Sequence, residues 1–334
     1  MLIDDFIVAF GVWEEARPYL SLIVDEQEMR LVVAMQGRSI TAEQAAELLD
    51  ISSQAASDLL ERAYRRCVLH RKAEGEAVVY TAADFYARLD HFAKFEGWDD
   101  LPAEARRLLD QRFLDAFIER HRESVALKMQ GLAAENALPN DTVLLLHEVE
   151  AMIDAATDIA VQPCDCRRLG QNCNKPVETC IALDEGARAL LERGQGRRIS
   201  REEARQIVRR ADLKGLMHTG DSAWQERGLH AICNCCADDC YPFRAAQALG
   251  SQGVWPKSRY VASYRADLCR ACGACVRRCH FGAFYFSGET VMVAGRETPA
   301  VAFDPSKCWG CGLCANTCTE FAITMLLLGK TTGD

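Results

Sequence analysis

No stretch of this chain is apolar for long enough to span a bilayer: the longest runs, Ile323 to Leu328 and Val143 to Leu146 among them, fall far short of the roughly 18–20 residues required. No Gly-x-Gly-x-x-Gly follows a candidate strand and no P-loop signature occurs, so neither a nicotinamide, a flavin nor a nucleoside triphosphate has a recognisable site. Gly194-Gln195-Gly196 is too short a match. Positive charge is scarce too. Against 48 Asp and Glu stand 39 Lys and Arg, a net charge of −9. Residues 1–125 hold 24 acidic and 15 basic side chains, and so the whole of that excess. Long-range repulsion of phosphates makes DNA an unfavoured partner for this segment. The first residues, Met1-Leu2-Ile3-Asp4-Asp5, are acidic where a secretory signal is basic, and the expected compartment is the cytoplasm.

Cysteine is the residue in excess, 17 in 334. In a reducing compartment these read as thiolate ligands rather than disulfides. Sixteen fall in four groups of four, with Cys67 alone. Two groups share one spacing: Cys269-x2-Cys272-x2-Cys275-x3-Cys279 and Cys308-x2-Cys311-x2-Cys314-x3-Cys318. Thiolates so spaced on a tight loop converge on three irons of one cube while backbone amides point at its sulfides. Ala271, Gly273, Ala274, Gly310 and Gly312 keep side chains out of that space. Zinc also uses Cys-x2-Cys pairs, but a four-ligand zinc site has no use for two such tandem runs. Residues 260–325 thus resemble bacterial dicluster ferredoxins. The resemblance implies two [4Fe-4S] clusters with crossed ligation, Cys269, Cys272, Cys275 and Cys318 on one and Cys308, Cys311, Cys314 and Cys279 on the other. His280 and Thr319 stand where that family usually has proline.

The other two groups lie upstream: Cys164 and Cys166 in Pro163-Cys164-Asp165-Cys166-Arg167-Arg168, followed by Cys173 and Cys180, then Cys233, Cys235, Cys236 and Cys240 in Ile232-Cys233-Asn234-Cys235-Cys236-Ala237-Asp238-Asp239-Cys240. Each block has sulfur for one further four-iron centre, so one or two additional iron–sulfur clusters are expected. Cys-x-Cys and Cys-Asn-Cys-Cys are too cramped for all their thiolates to reach neighbouring corners of one cube. Exchange of ligands between blocks, a non-cysteine ligand to one iron, a zinc site, and a buried apolar role for Cys235 or Cys236 all stay open. Arg167 and Arg168 read as a solvated surface pair, or as donors to cluster sulfides or an acidic partner. His218 and His230, on either side of Trp224, are expected to be core-satisfied or solvent-facing rather than ligands.

Nearly the full chain resembles a family of cytoplasmic four-iron ferredoxin-domain proteins of anaerobic bacteria and archaea. The residues that carry the likeness are Ala160-Val161 before Cys164-Asp165-Cys166-Arg167, Glu178-Thr179-Cys180, Gly196-Arg197-Arg198-Ile199-Ser200 with Glu202-Glu203-Ala204, and Ile232-Cys233-Asn234-Cys235-Cys236, ahead of the ferredoxin segment. Asp238 and Asp239 stand where that family has further cysteines. The resemblance implies electron transfer to a partner.

In the N-terminal third, Thr41 is expected to cap a helix through Asp50 with Glu43 in its first turn, and a second helix to run from Ser53 to Arg66 on apolar Ala56, Leu59, Leu60, Ala63 and Tyr64. Cys67 to Arg71 and Ala77 to Tyr80 flank Ala73-Glu74-Gly75-Glu76 as a hairpin in the place of a wing. A basic stripe, Arg62, Arg65, Arg66, Arg71 and Lys72, is all that favours DNA there. Further helices are expected from Ala82 to Phe95 and Ala103 to Val125. Asp141 to His147 reads as a strand, Glu148 to Thr157 as a helix and Ile159 to Val161 as a strand delivering Cys164. Ser200 with Glu203 reads as a capping box.

The expected fold class is α+β and multidomain: a winged-helix-like domain at 1–98, a helical and α/β middle domain at 99–259, and a dicluster ferredoxin-like domain at 260–334. Without a two-electron carrier, such a chain passes single electrons and takes no hydride by itself. Its partners are then redox proteins of a larger oxidoreductase system. A catalytic centre on the Cys-x-Cys and Cys-Asn-Cys-Cys blocks and a redox-sensing winged-helix regulator are the alternatives.

Overall fold

The computed structural model describes residues 2–75, 77–132, 138–221 and 223–329. The chain divides into two compact units, residues 1–116 with 168–171 and 191–195, and residues 117–167, 172–190 and 196–334.

The first unit is mostly helical. Asp25 starts the helix Glu26–Met35 with a reciprocal capping box to Glu28. Thr41 starts Ala42–Leu49, and the box partner is Gln44; Glu43 instead accepts the Thr41 hydroxyl at 2.7 Å. That helix ends where Asp50 turns left-handed, and Ser52 caps the next, Ser53–Arg65. The hairpin pairs β1 (Leu69–Glu74) with β2 (Ala77–Ala82) in an antiparallel register from Leu69↔Ala82 to Glu74↔Ala77. It begins two residues later than expected because Cys67 is left-handed at φ 58°; Glu76 of its turn lies outside the described residues. The next helix starts at Phe85 rather than Ala82, capped by Asp84, and Ala103–Met129 is longer than expected. Phe6, Phe10, Phe85, Phe92 and Trp98 fill the core. Inside it Arg66 reaches Glu28 at 3.0 Å and Glu96 at 3.1 Å, and the fully buried Arg88 reaches Glu96 at 2.5 Å.

The second unit is built on a six-stranded sheet of β3 (Thr142–Leu144), β4 (Ile159–Pro163), β5 (Glu178–Leu183), β6 (Arg197–Arg198), β7 (Met217–Gly220) and β8 (Ala231–Cys235), in the order β3-β7-β8-β5-β4-β6. All its strand pairings are antiparallel. The strand expected over residues 141–147 stops at Leu144. The Glu148 carboxylate accepts the Leu145 N–H at 2.8 Å, so the helix Leu146–Ala155 starts there and takes His147. Val149, Met152 and Ile153 of that helix and Ala204 and Val208 of Arg201–Leu213 cover one sheet face. Ser200 caps the latter helix at 3.1 Å from the Glu203 N–H. The Glu203 carboxylate, expected to complete the box, binds Arg197 at 2.8 Å instead.

In the same unit, β9 (Tyr260–Tyr264) pairs antiparallel with β12 (Ile323–Leu327), bringing the ends of the ferredoxin-like segment together. Between them lies the hairpin of β10 (Phe284–Val293) and β11 (Arg296–Phe303).

Candidate metal centres

The two C-terminal cysteine runs fold alike. A 3-10 turn, Ala266–Leu268 or Pro305–Lys307, leads into each loop, and a left-handed glycine, Gly273 or Gly312, starts a short helix, Ala274–Arg278 or Leu313–Asn316. Gly310 is obligatory: φ is +69° and a Cβ would sit 2.3 Å from the Tyr260 carbonyl. At the equivalent place in the first run Ala271 is left-handed at φ 50°. Backbone N–H groups of Ala271 and Ala283 donate to the Cys269 and Cys279 sulfurs at 3.3 and 3.2 Å.

Cys308, Cys311, Cys314 and Cys279 line one cavity. Burial pushes the Cys311 thiol up to about 12, with the Cys308 and Cys279 sulfurs adding to it. The other four do not line that cavity: Cys269, Cys275 and Cys318 lie beside the Tyr264 hydroxyl, and Cys272 neighbours Cys275. Cys272 is exposed while Cys314 is buried.

The eight middle cysteines do not gather block by block. Strand β5 pairs with β8 through Ile181↔Ile232, so Cys180 faces Cys233 across the ladder on one sheet face, and alternation puts Cys235 on that face too. Cys164, just past β4, adjoins Cys166 and Cys180, and Cys180 adjoins Cys233. Cys166 and Cys235 both adjoin Cys240. Six thiols thus converge. Cys240 precedes the helix Tyr241–Leu249, and although burial alone would raise its thiol, hydrogen bonds from Cys166, Cys235 and the Phe243 N–H hold it well below the ordinary range. Asp165, which the sequence offered no reason to single out, brings a carboxylate within 4.8 Å of the Cys164 and Cys180 sulfurs.

Arg167 is not on a solvated surface. It is 3% exposed, donates to the Pro176 carbonyl at 2.9 Å and the Asn234 carbonyl at 2.7 Å, and lies beside Cys164, Cys180, Cys236 and Cys235. Arg168 binds the Ala93 carbonyl at 2.9 Å and Asp99 at 3.1 Å. His218 is fully buried with Nδ1 2.7 Å from Asn234 Oδ1, and His230 is exposed. A buried guanidinium and amide donors among convergent thiols compensate the negative charge that a thiolate-held iron–sulfur group would bring, so the residues present fit one. The remaining two, Cys173 and Cys236, pair with each other at 3.7 Å.

An aromatic layer adjoins both groups. Phe281 stacks on Trp309 at 4.6 Å, Phe243 meets Trp309 at 5.1 Å, and these rings pack in one cluster with Cys311 and with Cys233, Cys235 and Cys240.

The cysteine runs and their cavity define an iron–sulfur domain of the ferredoxin type. Residues 268–322 match the family described as 4Fe-4S dicluster domain, which supports an iron–sulfur electron-transfer role. No curated protein and no solved structure matches the chain. Among the described residues no helix is long and apolar enough to cross a membrane.

Proposed function

We propose that the chain relays single electrons between a donor and a partner oxidoreductase, in three parts: residues 260–334 carrying two cubanes, 99–259 carrying a further centre on Cys164, Cys166, Cys180, Cys233, Cys235 and Cys240, and 1–98 as a winged-helix scaffold used for docking. Bound at these cysteines, iron–sulfur clusters supply one-electron redox chemistry. The observation that carries the reading is the packing of Phe243, Phe281 and Trp309 in one cluster with Cys311 and with Cys233, Cys235 and Cys240. Cys272 of the first ferredoxin set is exposed, which offers an entry point for electrons from a donor.

Docking in place of DNA binding is supported by the basic stripe, whose charges are taken up internally. Arg62 pairs with Asp25 at 3.8 Å, Arg65 with Glu61 at 2.8 Å, Arg66 with Glu28 at 3.0 Å, Arg71 with Glu61 at 2.9 Å and Lys72 with Glu74 at 3.6 Å. The acidic excess is left to face a basic partner and to steer its approach. The test is the order of reduction. Freeze-quenched paramagnetic resonance after mixing with limiting reductant is expected to show the ferredoxin signals first and the middle signal growing as they decay. A middle centre that reduces at the same rate in Cys311→Ser as in the parent protein overturns the relay.

A further inference from the structure

Cys173 and Cys236 come from different sequence blocks and meet 3.7 Å apart, Sγ to Sγ. Two sulfurs bound at about 2.3 Å to one tetrahedral ion are about 3.8 Å apart, whereas thiolates on different irons of a cube are held further apart by the cube itself. The spacing is that of ligands to a single ion.

Oxygen donors complete the set. An Asp238 carboxylate oxygen lies within 4.8 Å of both sulfurs, and Asp239 Oδ2 is 3.6 Å from the Cys236 sulfur. Asp239 is fully buried, and among the described residues no lysine or arginine pairs with it. Its Oδ1 is occupied by Asn172, which donates its backbone N–H at 2.9 Å and its side-chain amide at 3.0 Å. Oδ2 is thereby turned toward the two thiols. Each sulfur also receives a backbone N–H, Cys236 from Asp239 at 3.3 Å and Cys173 from Lys175. A buried carboxylate with no lysine or arginine paired to it is costly. A divalent ion removes the cost, and Asn172 is the outer partner that orients such a ligand.

We propose that Cys173, Cys236, Asp238 and Asp239 form a mononuclear zinc site of two sulfurs and two oxygens, separate from the iron–sulfur ligands. It ties the segment after Cys166 to the loop after β8, and so holds the two blocks in register. Zinc suits it because the ion has no redox chemistry and accepts mixed thiolate and carboxylate ligands in a tetrahedral, closed site. The site stands whether or not the chain relays electrons.

The experiment is zinc K-edge X-ray absorption with iron and zinc analysis on anaerobically purified full-length protein, beside Asp239→Asn and Cys173→Ser. The expected result is one zinc per chain with two sulfur and two oxygen neighbours, about 12 irons, and loss of the zinc in both variants with iron content and visible spectrum kept. No zinc with about 16 irons, zinc with four sulfur neighbours, or variants that keep their zinc or lose iron with it, overturn the proposal. The wild-type spectrum decides the ligand set even where a variant fails to fold.

Discussion

The Arg167 guanidinium donates to the Asn234 carbonyl at 2.7 Å, clamping the Cys-x-Cys segment onto the middle of the Cys-Asn-Cys-Cys strand. Asn234 is held further by its own amide, which donates to the Thr179 carbonyl at 2.6 Å. Replacing Arg167 by Ala removes its hydrogen bonds to the Pro176 and Asn234 carbonyls and the Thr179 hydroxyl, and a buried cation beside those thiols. A loss of about 3–5 kcal/mol is expected. Iron analysis checks it: Arg167→Ala should lose the middle centre and retain about 8 irons in the ferredoxin segment.

Gly310 and Ala271 occupy equivalent places in the two loops and predict opposite responses. Gly310→Ala places a Cβ 2.3 Å from the Tyr260 carbonyl at φ +69°, and is expected to cost about 2–4 kcal/mol and the iron of the Cys308 loop. Ala271→Gly relieves a left-handed alanine at φ 50°, and is expected to be neutral or to stabilise by up to about 1 kcal/mol. Thermal bleaching of the visible absorption distinguishes the two.

How much of this was legible in sequence depends on the range of the interaction. The ferredoxin runs carry their geometry within a dozen residues, so spacing and glycines announced them, and local caps at Thr41 and Ser200 announced their helices. The regrouping of the middle cysteines was illegible because it rests on the β5–β8 pairing, Ile181 against Ile232, which joins residues some fifty apart in the chain. Arg167 looked like surface for the same reason: its acceptor at Asn234 is 67 residues away. Val143-Leu144-Leu145-Leu146 read as one strand because periodicity cannot see that Glu148 caps Leu145.

Acid should destabilise the first unit ahead of the second. Burial would raise the Glu96 carboxyl, but hydrogen bonds from His91, Arg88 and Arg66 outweigh it and hold it far below the ordinary 4.5. A depressed carboxyl contributes stability that is present above 4.5 and lost as pH falls below it. Burial lowers His91 from 6.5, so its neutral form adds a loss of the same sign beginning below 6.5. Glu96→Gln leaves Arg88 buried without its carboxylate, at about 3–5 kcal/mol, and should flatten the pH dependence. Urea midpoints followed by circular dichroism from pH 7 to pH 3.5 measure it.

Trp309 contacts Phe281 and Phe243 and packs in one cluster with Cys311 and with Cys233, Cys235 and Cys240. Trp309→Ala is expected to cost about 3–5 kcal/mol and to slow reduction of the middle centre. Trp309→Phe should retain the iron and most of the rate. Equal rates in all three proteins would remove the aromatic layer from the account.

The most direct test is paramagnetic resonance and visible absorption of anaerobically purified full-length protein, titrated with dithionite. The account predicts a brown protein that bleaches on reduction, with two magnetically interacting ferredoxin signals and a third signal that disappears in Arg167→Ala. A colourless protein, or one whose ferredoxin signals are the whole of its spectrum, would contradict it.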